Sequence, residues 1–375
     1  VEYFEKDKQL AFHQRAGMQL DGGAGGSRSQ PQHSFRIEPG NGTLGEGDLN
    51  YNLMPRRPNR SNFPSFYVRN GSNQYLVLPY KDALEVAAMG RNTYAYYSAY
   101  HPIVVFLNGK YFGVYELREK INEDYFKDNY QLDTDSLDFL EVSYFKSQLK
   151  GIYPPELEAL RGSIDPFLAD YNHFMEMNYS SSDYLEETEK FLDLPSYTDY
   201  IIAQSWIADT DWPFNNIKIF RCKGTGFKWR WAINDLEWSL NPNGWTTSSF
   251  DHIQYMLGYS SYYTDFWNRL IKNLDYKAYF INRFADLMNT SYNFSTIRHL
   301  ETDMYSEIFP EMGGEFKRWG GSNINAQLTT FSNNHEIFRT ELEKRSDFVR
   351  KHLQSHFNLN KQVKVTLEIE PEGAG

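Results

Sequence analysis

The sequence predicts an α+β protein with a β-rich N-terminal lobe and a mainly helical C-terminal lobe, and three observations carry that prediction. The stretch PIVVFLNGKYFGVYEL sets two β-rich runs about Asn108-Gly109, a strong hairpin signal early in the chain. Residues 262–274, 276–289, 297–312 and 326–357 carry Leu, Ile, Phe and Tyr at helical spacing, as does 184–209 ahead of them. Between these helical regions lies 211–238, DWPFNNIKIFRCKGTGFKWRWAINDLEW, in which two apolar runs flank a Gly-containing turn and an acid, Asp235, ends the second run.

Taken in order, residues 1–38 read as strands, FHQRAGMQL and HSFRIE, interrupted by DGGAGGSRSQPQ, too rich in Gly, Ser and Pro for either strand or helix. Such a loop brings backbone N–H groups and Arg28 within reach of a phosphate, or serves only as a flexible hairpin connection. Residues 40–64 form a long irregular insertion. Phe66–Arg69 re-enters as a short strand, 81–89 as a helix, and the polar REKINEDYFKDNY after the hairpin as another helix. Residues 133–182 are mixed, with a helix expected around 155–161. VKVTLEIE near the end alternates as a strand and resembles the opening of a further β domain. The divisions expected are therefore 1–120, 121–360 and a start of a following β domain at 361–375.

Aromatic residues make up 17% of the chain, enough for large buried contacts or for a stacking, peptide-binding surface. A net charge of −11 argues against nucleic acid as a partner and favours a basic protein or peptide. The single cysteine, Cys222, excludes an internal disulfide and a cysteine-built metal cluster. No apolar run approaches membrane-spanning length. His352 and His356 stand four apart on one helix, yet without the Glu after the first that a zinc-hydrolase helix carries.

The central segment carries the chemistry. A hairpin over 217–233 brings Asn216, at the entry of one strand, beside Asp235 at the exit of its partner, with Asp211 on the loop leading in. This is the layout of a protein-kinase catalytic segment: an Asp that accepts the substrate hydroxyl proton, an Asn five residues on and an Asp after a hairpin that hold divalent cations. Read alone, Asp235 is equally a strand-end turn residue or a helix cap.

GGAGGSR with PQHSFRI, FYVRNG, VVFLNGKYFGVYELREKI, the Asp211–Asn216 pair, WRWAINDLEW and the tail DFWNRL, RFADLMNT, IFPEMGGEFKRW together resemble the CotH family of atypical kinases. The resemblance implies a protein-kinase-like two-lobe fold, ATP with Mg2+ or Mn2+, and phosphoryl transfer to Ser or Thr of a secreted or cell-surface protein in a bacterium. It implies Asp211 as the catalytic acid and Asn216, Asp235 and Glu237 as metal ligands. Gly25, Ser27, Arg28, His33 and Arg36 would face the phosphates, and Glu119 with Lys120 the adenine. Two departures stand out. His33 occupies a position where the family usually has Lys, and Asp235-Leu236-Glu237-Trp238 replaces Asp-x-Asp-Trp.

Two other readings follow from the residues. The missing Lys and the aromatic content suit a catalytically silent kinase fold acting as a binding or scaffold module of a modular surface protein. Exposed Trp and Tyr with the Asp209/Asp211 pair suit a glycan-directed protein, though acids two residues apart match glycosidase geometry poorly.

Overall fold

The computed structural model describes residues 1–23, 28–151 and 155–360, and it is an α+β structure. One antiparallel sheet runs, in spatial order, Gly17–Asp21, Ser34–Glu38, Phe66–Arg69, Lys110–Arg118 and Tyr100–Leu107. Alternation decides its inner face: Phe35 and Ile37, Phe66 and Val68, Tyr115 and Leu117 are all buried in one cluster. The expected hairpin forms about Asn108 and Gly109, with φ of 51° and 74°, the left-handed pair that an Asn-Gly turn favours. The strand read as FHQRAGMQL is two strands: Leu10–His13 pairs with Glu2–Phe4, and Gly17–Asp21 enters the large sheet.

A second sheet runs Leu157–Arg161, Asp138–Val142, Ile217–Arg221, Arg230–Ile233 and Tyr96–Tyr97, its last pair parallel. The helix expected around 155–161 is instead the strand Leu157–Arg161. A segment this short gains little from a helical nucleus, whereas pairing with Asp138–Val142 satisfies its backbone at once. The helical stretch 184–209 is likewise two helices, Tyr184–Thr188 and Leu194–Ile207. Asp193 separates them: its side chain caps the second by accepting from the Ser196 N–H, and a proline in the first turn fits the start.

Helix Lys81–Gly90 packs against helices Leu194–Ile207 and Phe294–Ile308 and against both strands of the parallel pair. Nearly every residue on it is buried, charged ones included, so its polar groups have partners inside the protein. The 34-residue helix Ile324–Phe357 places the fully buried Arg345 against the end of Leu194–Ile207. Arg345 donates to the carbonyls of Ser205 (2.8 Å), Ser248 (2.7 Å) and Phe250 (2.7 Å), closing off the helix that feeds the central loop. No helix among the described residues is long and apolar enough to cross a membrane. The β segment expected at 361–375 lies outside the described residues.

Candidate active site

Three non-glycine residues in left-handed backbone bracket the central segment: Ala208 (φ 59°), Asn216 (φ 58°) and Asp235 (φ 55°). Asn and Asp tolerate this conformation, and Ala208 uses it to end its helix. The chain thereby turns sharply into the loop that carries Asp211. The hairpin follows as expected, with Lys218 opposite Ala232 and Phe220 opposite Arg230.

Asp211 Oδ2 accepts from two side-chain amides, Asn215 Nδ2 at 2.7 Å and Asn216 Nδ2 at 3.0 Å. Its own N–H donates to Asp209 Oδ1 at 3.0 Å. Burial, with the neighbouring charge of Asp235, raises the Asp211 carboxyl to about 6 against a bond from Asn215 that lowers it. Asp209 beneath it is fully buried and driven well above the carboxylate range by burial and by Asp211.

Asp235 is positioned from the other side. Arg69, at the end of Phe66–Arg69, donates from Nη2 to Asp235 Oδ1 at 3.2 Å and from Nη1 to Asp82 Oδ2 at 2.7 Å. Asp82 in turn accepts the Leu236 N–H at 2.8 Å, fixing the backbone just after Asp235. Arg118 joins the group, 3.0 Å from Asp82 and 2.7 Å from Glu116. Burial raises the Asp235 carboxyl, and Arg69 opposes that rise. Glu237 is buried, its two oxygens accepting from the Asn73 N–H (3.1 Å) and Asn73 Nδ2 (2.7 Å). Lys81 Nζ donates to the Glu237 carbonyl at 3.0 Å, so this helix holds the segment at two points.

Asn216 thus bonds Asp211, and Asp235 lies within the electrostatic reach of both Asp211 and Glu237. Arg36 and Lys120 form a second group. Arg36 pairs with Glu38 at 3.0 Å, while burial and the Arg36 charge lower the Lys120 ammonium. Burial raises the Tyr67 hydroxyl, Asp21 adds to the rise and Arg36 opposes it. His33 gives its carbonyl to Tyr115 Oη at 2.8 Å, and its Nδ1 is buried without a hydrogen-bond partner. The Arg28 N–H donates to the Gly23 carbonyl at 3.3 Å; Gly25 and Ser27 lie outside the described residues.

The Glu119 side chain is bonded to the long insertion and its neighbours. It is buried and accepts from Arg60 Nη1 (2.6 Å), the Ala99 N–H (2.7 Å) and Asn129 Nδ2 (3.0 Å), tying the long insertion to the strand's exit. Arg69, Asp82, Glu116 and Arg118 are site residues that sequence reasoning did not single out. Arg69 stands inside FYVRNG, but only the fold brings it to Asp235.

Asp211, Asn216 and Glu237, the acids and amide near Asp235, offer oxygen, the donor type of a hard divalent cation, whereas Arg69 beside it offers only N–H donors. Among the described residues no three His, Cys, Asp or Glu side chains converge as a self-sufficient metal cage. The family model for the CotH kinase protein matches residues 22–349, nearly the whole chain. The chain belongs to the CotH family. No curated protein matches it. As a CotH protein it falls in a family named for kinases, and the match takes in the first sheet apart from its strand Gly17–Asp21, the central hairpin and most of the final helix.

Proposed function

We propose that this CotH-family chain is a protein kinase with a two-lobe kinase-like fold that transfers the γ-phosphoryl group of ATP to Ser or Thr of a secreted or surface protein. The observation that carries the reading is the paired arrangement of Asp211 under two asparagine amides and Asp235 under Arg69. The two amides hold Oδ2, which leaves Oδ1 of Asp211 to accept the proton of an incoming hydroxyl. A carboxyl raised to about 6 is a stronger base than an ordinary aspartate and is still ionised at neutral pH.

Asp235, the Asn216 amide oxygen and Glu237 would hold Mg2+ or Mn2+, which when bound neutralises charge on the phosphates. Glu237 would do so with lone pairs that Asn73 does not use. Arg69 and Lys81 keep this acidic group together by fixing Asp235 and the backbone of Glu237. Arg36 and Lys120 supply cations at the nucleotide end of the same neighbourhood.

A thermal-shift titration with ATP, with and without Mg2+ or Mn2+, tests the reading. Stabilisation by ATP that needs the metal and vanishes in Asp235→Ala is expected, together with radiolabel transfer to a basic Ser-containing peptide or protein. Transfer that survives Asp235→Ala sinks the assignment. A second reading rests on His33: with an imidazole whose buried Nδ1 is unpartnered where the family usually has Lys, the chain is a kinase fold that binds without transferring. Metal-dependent ATP binding with no transfer to any acceptor favours it.

A further inference from the structure

Residues 238–264, directly after Glu237, contain one Asp, Glu, Lys or Arg side chain, Asp251, in a chain that is 23% charged. Asp251 is itself occupied, accepting from His356 Nε2 at 2.8 Å. The rest of the segment is mainly Tyr, Trp, Ser, Thr, Asn and Gly, the mixture that antibody paratopes use: rigid aromatic area with small hydroxyl and amide groups between. Trp245 is 59% exposed and Tyr259 36%, and Leu257 and Tyr262 are open to solvent as well. Exposed aromatic rings on a surface depleted of charge mark an interface rather than a solvated face.

The rings are joined to the loop that carries Asp211. Trp245 stacks on Trp238 with centroids 4.3 Å apart, and the Trp238 carbonyl accepts the Thr210 N–H at 3.4 Å. From the short helix His252–Leu257, Tyr255 Oη donates to the Thr210 carbonyl at 2.9 Å. The Tyr255 ring meets Tyr259 at 4.8 Å, and Tyr259 meets Phe214 at 4.9 Å. Thr210 precedes Asp211 and Phe214 lies between Asp211 and Asn216, so this aromatic strip borders the carboxylate assigned to the incoming hydroxyl.

We propose that the strip holds the acceptor polypeptide and selects a Ser or Thr flanked by uncharged residues; this rests on the kinase reading and names its substrate class. A charged side chain laid on residues 238–264 would lose water and find no free ion-pair partner there, whereas rings, hydroxyls and amides match a peptide backbone and uncharged side chains. The net charge of −11 acts at longer range, drawing in a basic protein without deciding which of its hydroxyls is read.

Fluorescence anisotropy with two labelled peptides of identical composition tests it. Both centre on Ser; in one, Gly, Asn, Ala and Tyr surround it and lysines stand at the ends, and in the other the lysines flank the Ser directly. The first should bind about tenfold more tightly, and the difference should persist at high salt. Trp245→Ala and Tyr259→Ala should each weaken its binding about tenfold, Trp245→Phe and Tyr259→Phe much less, and none should alter metal-dependent ATP binding. Binding is read without transfer: selective binding of the first peptide by a protein that phosphorylates no acceptor supports the strip while overturning the kinase reading. Equal or tighter binding of the second peptide, no saturable binding of the first, indifference of that binding to both alanine substitutions, or its displacement by a neutral oligosaccharide such as chitohexaose overturns the proposal.

Discussion

Arg69 bridges Asp235 and the helix beside it: one guanidinium nitrogen lies 3.2 Å from Asp235 Oδ1 and the other 2.7 Å from Asp82 Oδ2. Asp82 also holds the Leu236 N–H, so Asp235 is fixed through its side chain and through its backbone by one connected group. Four elements contribute to that group, and its charges are Arg69 and Arg118 against Asp82, Glu116 and Asp235. Removing a cation from it leaves buried carboxylates facing one another.

Arg69→Ala should therefore cost about 3 kcal/mol or more of stability, the usual consequence of leaving a buried charge unpaired. Arg69→Lys retains the charge but cannot reach both carboxylates with a planar fork. It should fold, yet lower phosphoryl transfer by roughly a hundredfold through misplacement of Asp235. Urea unfolding and a transfer assay on both variants check this. An Arg69→Lys protein with unchanged transfer would remove the positioning role.

Asp211 separates stability from activity. Its carboxyl is raised from 3.8 to about 6, so the folded state binds a proton more tightly than the unfolded chain. Its stabilising contribution is present at low pH and is lost as pH rises through about 6. Asp211→Asn removes that loss, keeps an oxygen for Asn215 and Asn216, and should be more stable than wild type at pH 8. Transfer should fall by about a hundredfold to ten-thousandfold, the range for a lost general base. Thermal unfolding from pH 4 to 8 beside a rate measurement tests both; a less stable variant at pH 8 contradicts the electrostatic account.

What the sequence made legible was local. Asn108-Gly109 marks its hairpin because the turn chemistry lies in two adjacent residues, and the 217–233 hairpin was read in the same way. The strands Asp138–Val142 and Leu157–Arg161 were harder, since their partners define them and a short isolated segment carries little periodicity. Asp211, Asn216 and Asp235 stand out in the sequence because they lie on one continuous stretch. Arg69, Asp82, Glu116 and Arg118 were not, because each is an ordinary charged residue until the sheet and helix Lys81–Gly90 bring them together. Glu119 shows the converse: next to Lys120 in sequence, its side chain turns toward Arg60 and Asn129.

Glu315 gives the fold a pH dependence separate from the active site. It is buried against the hairpin, accepts the Val114 N–H at 2.7 Å, and burial raises its carboxyl from 4.5 to about 7. Its contribution to stability is complete below about 4.5 and is lost as pH rises through about 7. Glu315→Gln keeps an acceptor for Val114 and cannot ionise. The variant should match wild type near pH 5 and exceed it at pH 8 by on the order of 1–3 kcal/mol. Chemical denaturation at the two pH values decides; an equal gap at both would mean that ionisation of Glu315 plays no part.

Gly113 is a point where the hairpin meets Glu315 and Trp319 of the C-terminal half closely. Its φ of 142° is a conformation side chains rarely adopt. An added Cβ would lie 2.3 Å from Gln32 Nε2, 2.6 Å from Glu315 Oε2 and 3.0 Å from Trp319 Nε1. None of the three is free to retreat, because each bonds the backbone beside the glycine: Gln32 donates to the Val114 carbonyl, Glu315 accepts the Val114 N–H, and Trp319 donates to the Phe112 carbonyl. Gly113→Ala should thus lose on the order of 2–4 kcal/mol through backbone strain and the parting of these contacts. The loss should be local in origin, with faster hydrogen exchange at Val114 and across the neighbouring hairpin than in the helix Leu194–Ile207. A variant with wild-type stability and a protected Val114 amide would show that the hairpin can shift away from Glu315 and Trp319 without cost, and that these contacts do not hold the two parts together.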